Sequence, residues 1–223
     1  MSGGRARAAV FGANDGLVSN VSLILGFAAT GVSTSVVQLA GIAGAVAGGI
    51  SMAAGEWVSV SAQNDLVRRE VEVERRELHH NPEDETRELT EVYIDQGMTP
   101  DQARQAAETI MERPDVALSV HTRNELGVAP DELPSPWWAA GLSLICFLFG
   151  AVLPIVPWFI TSGAAAGIAS VSIGVVAAAF VGALVGWMAE LPLHRSVARQ
   201  VGIVLGACAV TFLIGQLVGV NFD

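Results

Sequence analysis

The chain has 223 residues, of which 52% are hydrophobic, and a formal net charge of −10. This composition is typical of a membrane protein that contacts membrane lipid over most of its length and carries one soluble segment. The acidic charge argues against nucleic acid as a partner and against docking on an anionic lipid surface.

Five apolar segments are long enough to cross a hydrocarbon core of about 30 Å: residues 8–30, 36–58, 137–159, 164–189 and 197–220. Arginines precede the first segment and lie between the last two, so the positive-inside rule places the N-terminus in the cytoplasm and the C-terminus outside. We therefore predict an all-α membrane protein with five transmembrane helices, two within residues 1–62 and three within residues 137–223. Pro154 and Pro157 predict a kink or a frayed end in the third span.

Residues 63–136 carry the whole net charge, with 18 acidic residues and 8 arginines. We predict that they form a cytoplasmic, acidic, metal-binding insert with helices near 63–80, 82–96 and 100–113. The first should continue the second span, because no proline occurs from residue 36 to residue 80. Asn81 and Thr99 are predicted helix caps, each followed by proline, and Gln102 should complete a capping box with Thr99. An extended return to the membrane is predicted from the later helix breakers, Pro114, Gly127, Pro130, Pro134 and Pro136.

Two pairs of glutamates lie on consecutive predicted helices of the insert, Glu74 with Glu77 and Glu85 with Glu88. None of the four has an arginine three or four positions away, whereas Glu72 has four such arginines. Like charges at this spacing destabilise a helix by about 0.2–0.5 kcal/mol. Four converging carboxylates would offer the oxygen ligands that a divalent cation prefers. A solvated acidic surface is the alternative interpretation of either pair taken alone.

Two carboxylates, Asp15 and Glu56, lie inside spans that are otherwise apolar. Placing a carboxylate in hydrocarbon costs roughly 2.5–3.5 kcal/mol on insertion scales, so such residues usually face a bundle interior or an ion path. Met52 lies one helical turn before Glu56 and shares its face. A thioether ligand favours Fe²⁺, Mn²⁺ or Co²⁺ over Mg²⁺ or Ca²⁺. The alternatives are carboxylates that reach water from a helix end and a methionine that only fills the core.

The sequence resembles the vacuolar iron transporter family over essentially its whole length, in the motifs Gly12-Ala13-Asn14-Asp15-Gly16 and Ser51-Met52-Ala53-Ala54-Gly55-Glu56 and in the glutamate pairs. The resemblance implies a homodimer of five-helix subunits that exports Fe²⁺ in exchange for protons. It implies that Asp15, Met52 and Glu56 line the translocation path. It also implies a metal-binding domain formed by Glu74, Glu77, Glu85, Glu88 and Glu125. The chain departs from the family at His121, where a methionine ligand is common, although a neutral histidine can bind Fe²⁺ or Zn²⁺.

We therefore expect a proton-coupled exporter of a divalent metal, Fe²⁺ or Mn²⁺, with no enzymatic activity and no prosthetic group. A carboxylate that can hold either a proton or a cation is the simplest basis for such an exchange. The alternative is a membrane-anchored metal buffer or sensor that uses the insert alone. Export would cross the plasma membrane of a prokaryote or the vacuolar membrane of a eukaryote.

Overall fold

The computed structural model describes residues 2–127 and 133–219, the side chains of residues 2–8 excepted. Within these ranges every regular element is a helix, which confirms the all-α prediction. The helices are α1 (Ser2–Ala29), α2 (Thr34–His80), α3 (Pro82–Asp95), α4 (Pro100–Met111), α5 (Pro114–Leu126), α6 (Pro136–Val152), α7 (Pro157–Ile160), α8 (Gly163–Met188) and α9 (Leu193–Gly219). The chain divides into two units, the first comprising Met1–Trp57 with Trp137–Asp223 and the second comprising Val58–Pro136.

Four of the described helices are long and apolar enough to cross a membrane: α1 over Ala9–Ala29, α2, α8 and α9. They correspond to the predicted first, second, fourth and fifth spans, and the end of the fifth, at residue 220, lies outside the described residues. The predicted third span is interrupted at residues 153–156, which confirms the break predicted at Pro154 and Pro157. Helix α6 has only 17 residues and is followed by a turn before the short α7. Pro154 lies in that turn, where its ring and its missing N–H prevent the helix from continuing. The five-span topology therefore stays a prediction.

Helix α1 contributes to both buried clusters of the first unit, as does α8. One cluster joins α1, α8 and α9 through Leu17, Val21, Ala178, Val204 and Cys208. The other joins α1 to α2 and α6 through Ile24, Val37, Ala45, Phe147 and Ala151, among others.

Helices α1 and α6 approach each other to backbone contact. A Cβ atom on Gly16 would collide with the backbone carbonyl of Phe147, and one on Gly150 would collide with the carbonyl of Ala13. Small residues permit this spacing in membrane helix bundles. The contact fixes the position of the Asp15 region of α1 relative to α6.

The second unit contains α3, α4, α5 and the continuation of α2 beyond Trp57. The prediction of an extended return from residue 114 is wrong over residues 114–126, where the chain forms α5. Pro114 occupies the first turn of that helix, where a missing N–H costs nothing. The helix ends at Gly127, whose φ of 71° is a left-handed conformation that glycine adopts without strain. Pro130 lies outside the described residues, so the return at that position stays a prediction.

The two predicted caps in the second unit differ in outcome. The backbone N–H of Thr99 donates to Oε1 of Gln102 at 3.3 Å, which confirms the capping box at the start of α4. Asn81 occupies the N-cap position of α3, but its side chain makes no capping hydrogen bond there. Its Nδ2 donates to Oε2 of Glu77 one turn back at 2.7 Å, a charge-assisted hydrogen bond.

Candidate metal sites

Three helices of the second unit bring two buried glutamates and a buried histidine together. Glu74 lies near the end of α2, Glu85 in the first turn of α3 and His121 on α5. Nδ1 of His121 lies 3.0 Å from Oε1 of Glu74 and 3.3 Å from Oε2 of Glu85. Only 3% of the His121 side chain, 8% of Glu74 and 10% of Glu85 are exposed. These three residues, with Glu88 and Glu125, are called the glutamate–histidine cluster below.

The two remaining members of the cluster lie at its exposed side. Glu125 follows His121 by one turn of α5, and one ligand atom from each of Glu74, His121 and Glu125 lies within 4.8 Å of the others. Glu88 follows Glu85 by one turn of α3, and its charge acts on Glu74, Glu85 and Glu125. Four glutamates from three helices thus concentrate negative charge around His121.

Glu77 lies at the edge of this cluster. Its side chain is exposed, one of its oxygens is bound by Asn81, and its charge acts on Glu85. Glu72, on the same helix, is exposed, and the Nε of Arg76 donates to its backbone carbonyl. Glu74 and Glu85 are thus buried, whereas Glu72 is exposed. Glu77 is exposed too although no arginine lies one turn away from it, so the arginine-free spacing does not by itself mark the buried carboxylates.

Burial and mutual repulsion favour the protonated form of the clustered carboxyl groups. Burial raises the pKa of Glu74 from 4.5 to about 7, and the charges of Glu125, Glu85 and Glu88 contribute to the rise. Burial and the charge of Glu88 also raise the pKa values of Glu85 and Glu125. The pKa of His121 moves the other way, because burial disfavours the imidazolium, although Glu88 opposes this effect. Near neutral pH the histidine is therefore neutral, while Glu74 with its pKa of about 7 is still partly protonated.

The donor atoms of the cluster fit a divalent cation. Nε2 of His121 is buried and has no hydrogen-bond partner among the described residues, whereas Oε1 of Glu74 and Oε2 of Glu85 both face Nδ1 of the same histidine. Buried polar atoms usually have partners, so the unpaired Nε2 indicates a missing ligand. A set of carboxylate oxygens with one imidazole nitrogen suits Mn²⁺, Fe²⁺ or Zn²⁺.

A second candidate site is a pocket of about 280 Å³ in the first unit, which Asp15 and Met52 both line. The pocket lies between α1, α2 and α6, and its other lining residues are Ser19, Asn20, Leu23, Gly44, Gly48, Ser51 and Phe147. Oγ of Ser19 donates to Oδ1 of Asp15 at 2.8 Å, which orients the carboxylate. Glu56 is half-buried one turn beyond Met52, and it does not belong to this lining set.

Sequence reasoning missed the polar residues that share this pocket with Asp15, namely Ser19, Asn20 and Ser51. The helical spacing could have identified Ser19, because it lies one turn after Asp15 on the same face of the helix. Asn20 is an amide near the middle of an apolar span, where a polar group is costly unless it has a partner or a function.

Comparison with known proteins identifies the family. A family model described as the VIT family matches residues 6–216. A protein of Acanthamoeba castellanii named vacuolar iron transporter is 36% identical over 149 residues, which cover 67% of this chain and 53% of that relative. Vacuolar iron transporter homolog 1 of Arabidopsis thaliana is 34% identical, over 96% of this chain and 84% of its own length. Vacuolar iron transporter 1 of Eucalyptus grandis is 26% identical, over 94% of this chain and 84% of its own length.

The resemblance that the sequence motifs indicated is thus confirmed: the chain belongs to the VIT family.

Proposed function

We propose that this chain is a multi-pass membrane transporter that exports a divalent metal from the cytoplasm in exchange for protons. Fe²⁺ is the proposed cargo and Mn²⁺ the second candidate. The proposal includes five spans, a cytoplasmic N-terminus, an outer C-terminus and a cytoplasmic metal-binding domain at 63–136. The plasma membrane is the proposed location in a prokaryote, and the vacuolar membrane in a eukaryote.

The observation that carries the proposal is the presence of two metal-compatible sites in one VIT family chain. The glutamate–histidine cluster offers several oxygens and a nitrogen outside the apolar helices, which suits capture of a scarce cation. The pocket of Asp15 and Met52 offers a carboxylate and a thioether within them. Iron as cargo is supported by the names of the relatives and by the thioether, which favours a softer cation than Mg²⁺.

Proton exchange is supported by the chemistry of carboxylates that can bind either species. With the pKa of Glu74 raised to about 7, a proton and a cation compete for the same oxygens near neutral pH. Cation binding therefore releases protons from the cluster. We propose that Asp15 and Glu56 make the same exchange along the translocation path.

A homodimer is proposed because one subunit supplies few ligands to the path. Asp15 lies in an exposed stripe of α1 with Phe11 and Ser19, which are four residues away on either side. Across a two-fold axis the same stripe of a second copy would face it. Two copies of Asp15 and Met52 would then complete a coordination shell that one copy leaves open.

Replacing Glu74 or Glu85 by glutamine will weaken binding of divalent metal to the full-length protein at least about tenfold, because each change removes a buried ligand oxygen with little change in volume. Glu72→Gln is the matched control, since it removes an exposed carboxylate from the same helix as Glu74, and it will leave the affinity unchanged. Anaerobic calorimetric titration with Fe²⁺ and with Mn²⁺ measures the difference. Equal losses in all three variants would show that diffuse acidity, rather than a defined site, binds the metal.

The metal-free protein will lose thermal stability as pH rises from about 4.5 to about 7. In this window the folded protein retains the Glu74 proton while the unfolded chain has released it, so folding becomes less favourable as pH rises. Thermal unfolding in detergent with a chelator measures the slope, and Glu74→Gln should flatten it. Added Mn²⁺ should stabilise the protein more at about pH 7.5 than at about pH 5, because metal binding requires the deprotonated carboxylates. An unchanged slope in the variant would contradict the assignment to Glu74.

Asp15→Ala will abolish metal uptake while leaving metal binding by the glutamate–histidine cluster intact, because the two sites share no residues. Proteoliposomes with an imposed proton gradient, supplied in turn with Fe²⁺, Mn²⁺ and Zn²⁺, measure uptake, and titration of the same variant measures binding. Substantial uptake by the variant would remove Asp15 from the path. Absence of uptake by the unmodified protein, with metal binding preserved, would favour the buffer or sensor function.

Single cysteines introduced at Phe11 and at Ser19 will crosslink between subunits, since both flank Asp15 on the exposed stripe of α1. The background is a variant lacking Cys146 and Cys208. Cysteines at Val176 and at Phe180, which are also exposed but lie on α8, serve as matched controls and should not crosslink. Crosslinks from the α8 positions alone, detected by gel electrophoresis, would contradict a path shared along α1.

A further inference from the structure

The side-chain amide of Asn20 is held in one orientation. Asn20 is 2% exposed, and its Nδ2 donates to the backbone carbonyl of Ala151, on α6, at 2.6 Å. A carbonyl oxygen can only accept a hydrogen bond, so the NH₂ group must be the side that faces Ala151. The amide oxygen therefore points away from α6.

That oxygen has no partner although it is buried. Oδ1 of Asn20 makes no hydrogen bond to any described residue. It lies on the side of Gly44, where a Cβ atom added to the glycine would be 3.0 Å away. Asn20 and Gly44 both line the pocket that contains Asp15 and Met52. A buried acceptor without a partner loses its hydration and gains no hydrogen bond in return, so the unpaired oxygen of Asn20 in this pocket suggests a ligand.

We propose that Oδ1 of Asn20 is a cation ligand in the translocation pocket and that it sets the preference among divalent cargoes. The inference rests on the proposed transport function and adds a residue to its path. An amide oxygen is a hard donor of the kind that suits Mn²⁺, whereas the thioether of Met52 suits softer ions. Because the amide is neutral, it adds a ligand without adding charge to the pocket.

A purely structural role is the competing explanation, since the amide also ties α1 to α6. The variants Asn20→Leu and Asn20→Asp separate the two roles, because both lose the amide donor while only aspartate keeps an oxygen. A structural role alone would lower thermal stability and the yield of folded protein in both variants. It would not change the order in which folded transporter accepts different metals.

The experiment measures initial uptake of Mn²⁺ and Fe²⁺ into proteoliposomes as a function of concentration, together with thermal stability in detergent. Asn20→Leu should raise the KM for Mn²⁺ at least about tenfold and raise the KM for Fe²⁺ less, so that their ratio changes. Asn20→Asp should keep the KM for Mn²⁺ near that of the unmodified protein. Ser22→Ala is the control, because Ser22 is buried on the same helix but does not belong to the residues that line the pocket.

An unchanged ratio of the two KM values in Asn20→Leu, or equal effects of leucine and aspartate, would overturn the inference while leaving the transport proposal intact. If Asn20→Leu does not fold, Asn20→Ala replaces it, because alanine also lacks the amide oxygen and has a smaller side chain. The same change in the ratio of the two KM values is expected. Failure of the unmodified protein to take up any metal would overturn the transport proposal, and this inference with it.

Discussion

The second unit buries glutamate carboxyl groups next to a histidine that burial keeps neutral. The stability of the unit depends on how this cluster of carboxyl groups is neutralised. Glu74, Glu85 and His121 come from three different helices, so they meet only when those helices pack. Packing therefore brings like charges together, and the cost must be offset by protons or by a bound cation. A cation that bound only the folded form of the cluster would therefore also stabilise this unit.

The first unit has a pocket of a different chemical kind. Asp15 is the single formal charge among the pocket's lining residues, and Met52 and Asn20 add neutral donors. Cation affinity rises with the number of charged ligands in a site. In the proposed transport cycle, the cluster with several carboxyl groups is accordingly the tighter site, and the pocket with one carboxylate is the site from which a cation can leave.

Helix starts could be predicted from the sequence where they depend only on neighbouring residues. The helix starts after Asn81 and after Thr99 both depend on a proline in the first turn, and the second also depends on Gln102, three residues after Thr99. Both helices begin as expected. Pro114 was misinterpreted because proline both ends a helix and opens one. Only the residues that follow Pro114, up to Gly127, show whether the proline ends a helix or begins one.

The Glu-x-x-Glu spacing placed a pair of carboxylates on each of α2 and α3 but could not show which member of each pair is buried. Glu74 and Glu85 are buried, whereas Glu77 and Glu88 are exposed. Both members of a pair lie on one side of their helix. Which of the two is buried is determined by the contact with α5, and the sequence does not reveal that contact. The same limit applies to Met52 and Glu56, which share a face of α2. A step of four residues also advances about 6 Å along a helix axis, so a shared face does not place both side chains in one pocket.

His121 determines how charge is balanced in the cluster. A protonated histidine could form ion pairs with Glu74 and Glu85 and neutralise them without any metal. Burial lowers the pKa of His121 while it raises the pKa of Glu74 to about 7, so the two groups are seldom charged together. As Glu74 loses its proton near neutral pH, the neutral imidazole supplies a lone pair rather than a positive charge. A divalent cation bound in the cluster would supply the positive charge that the neutral imidazole lacks.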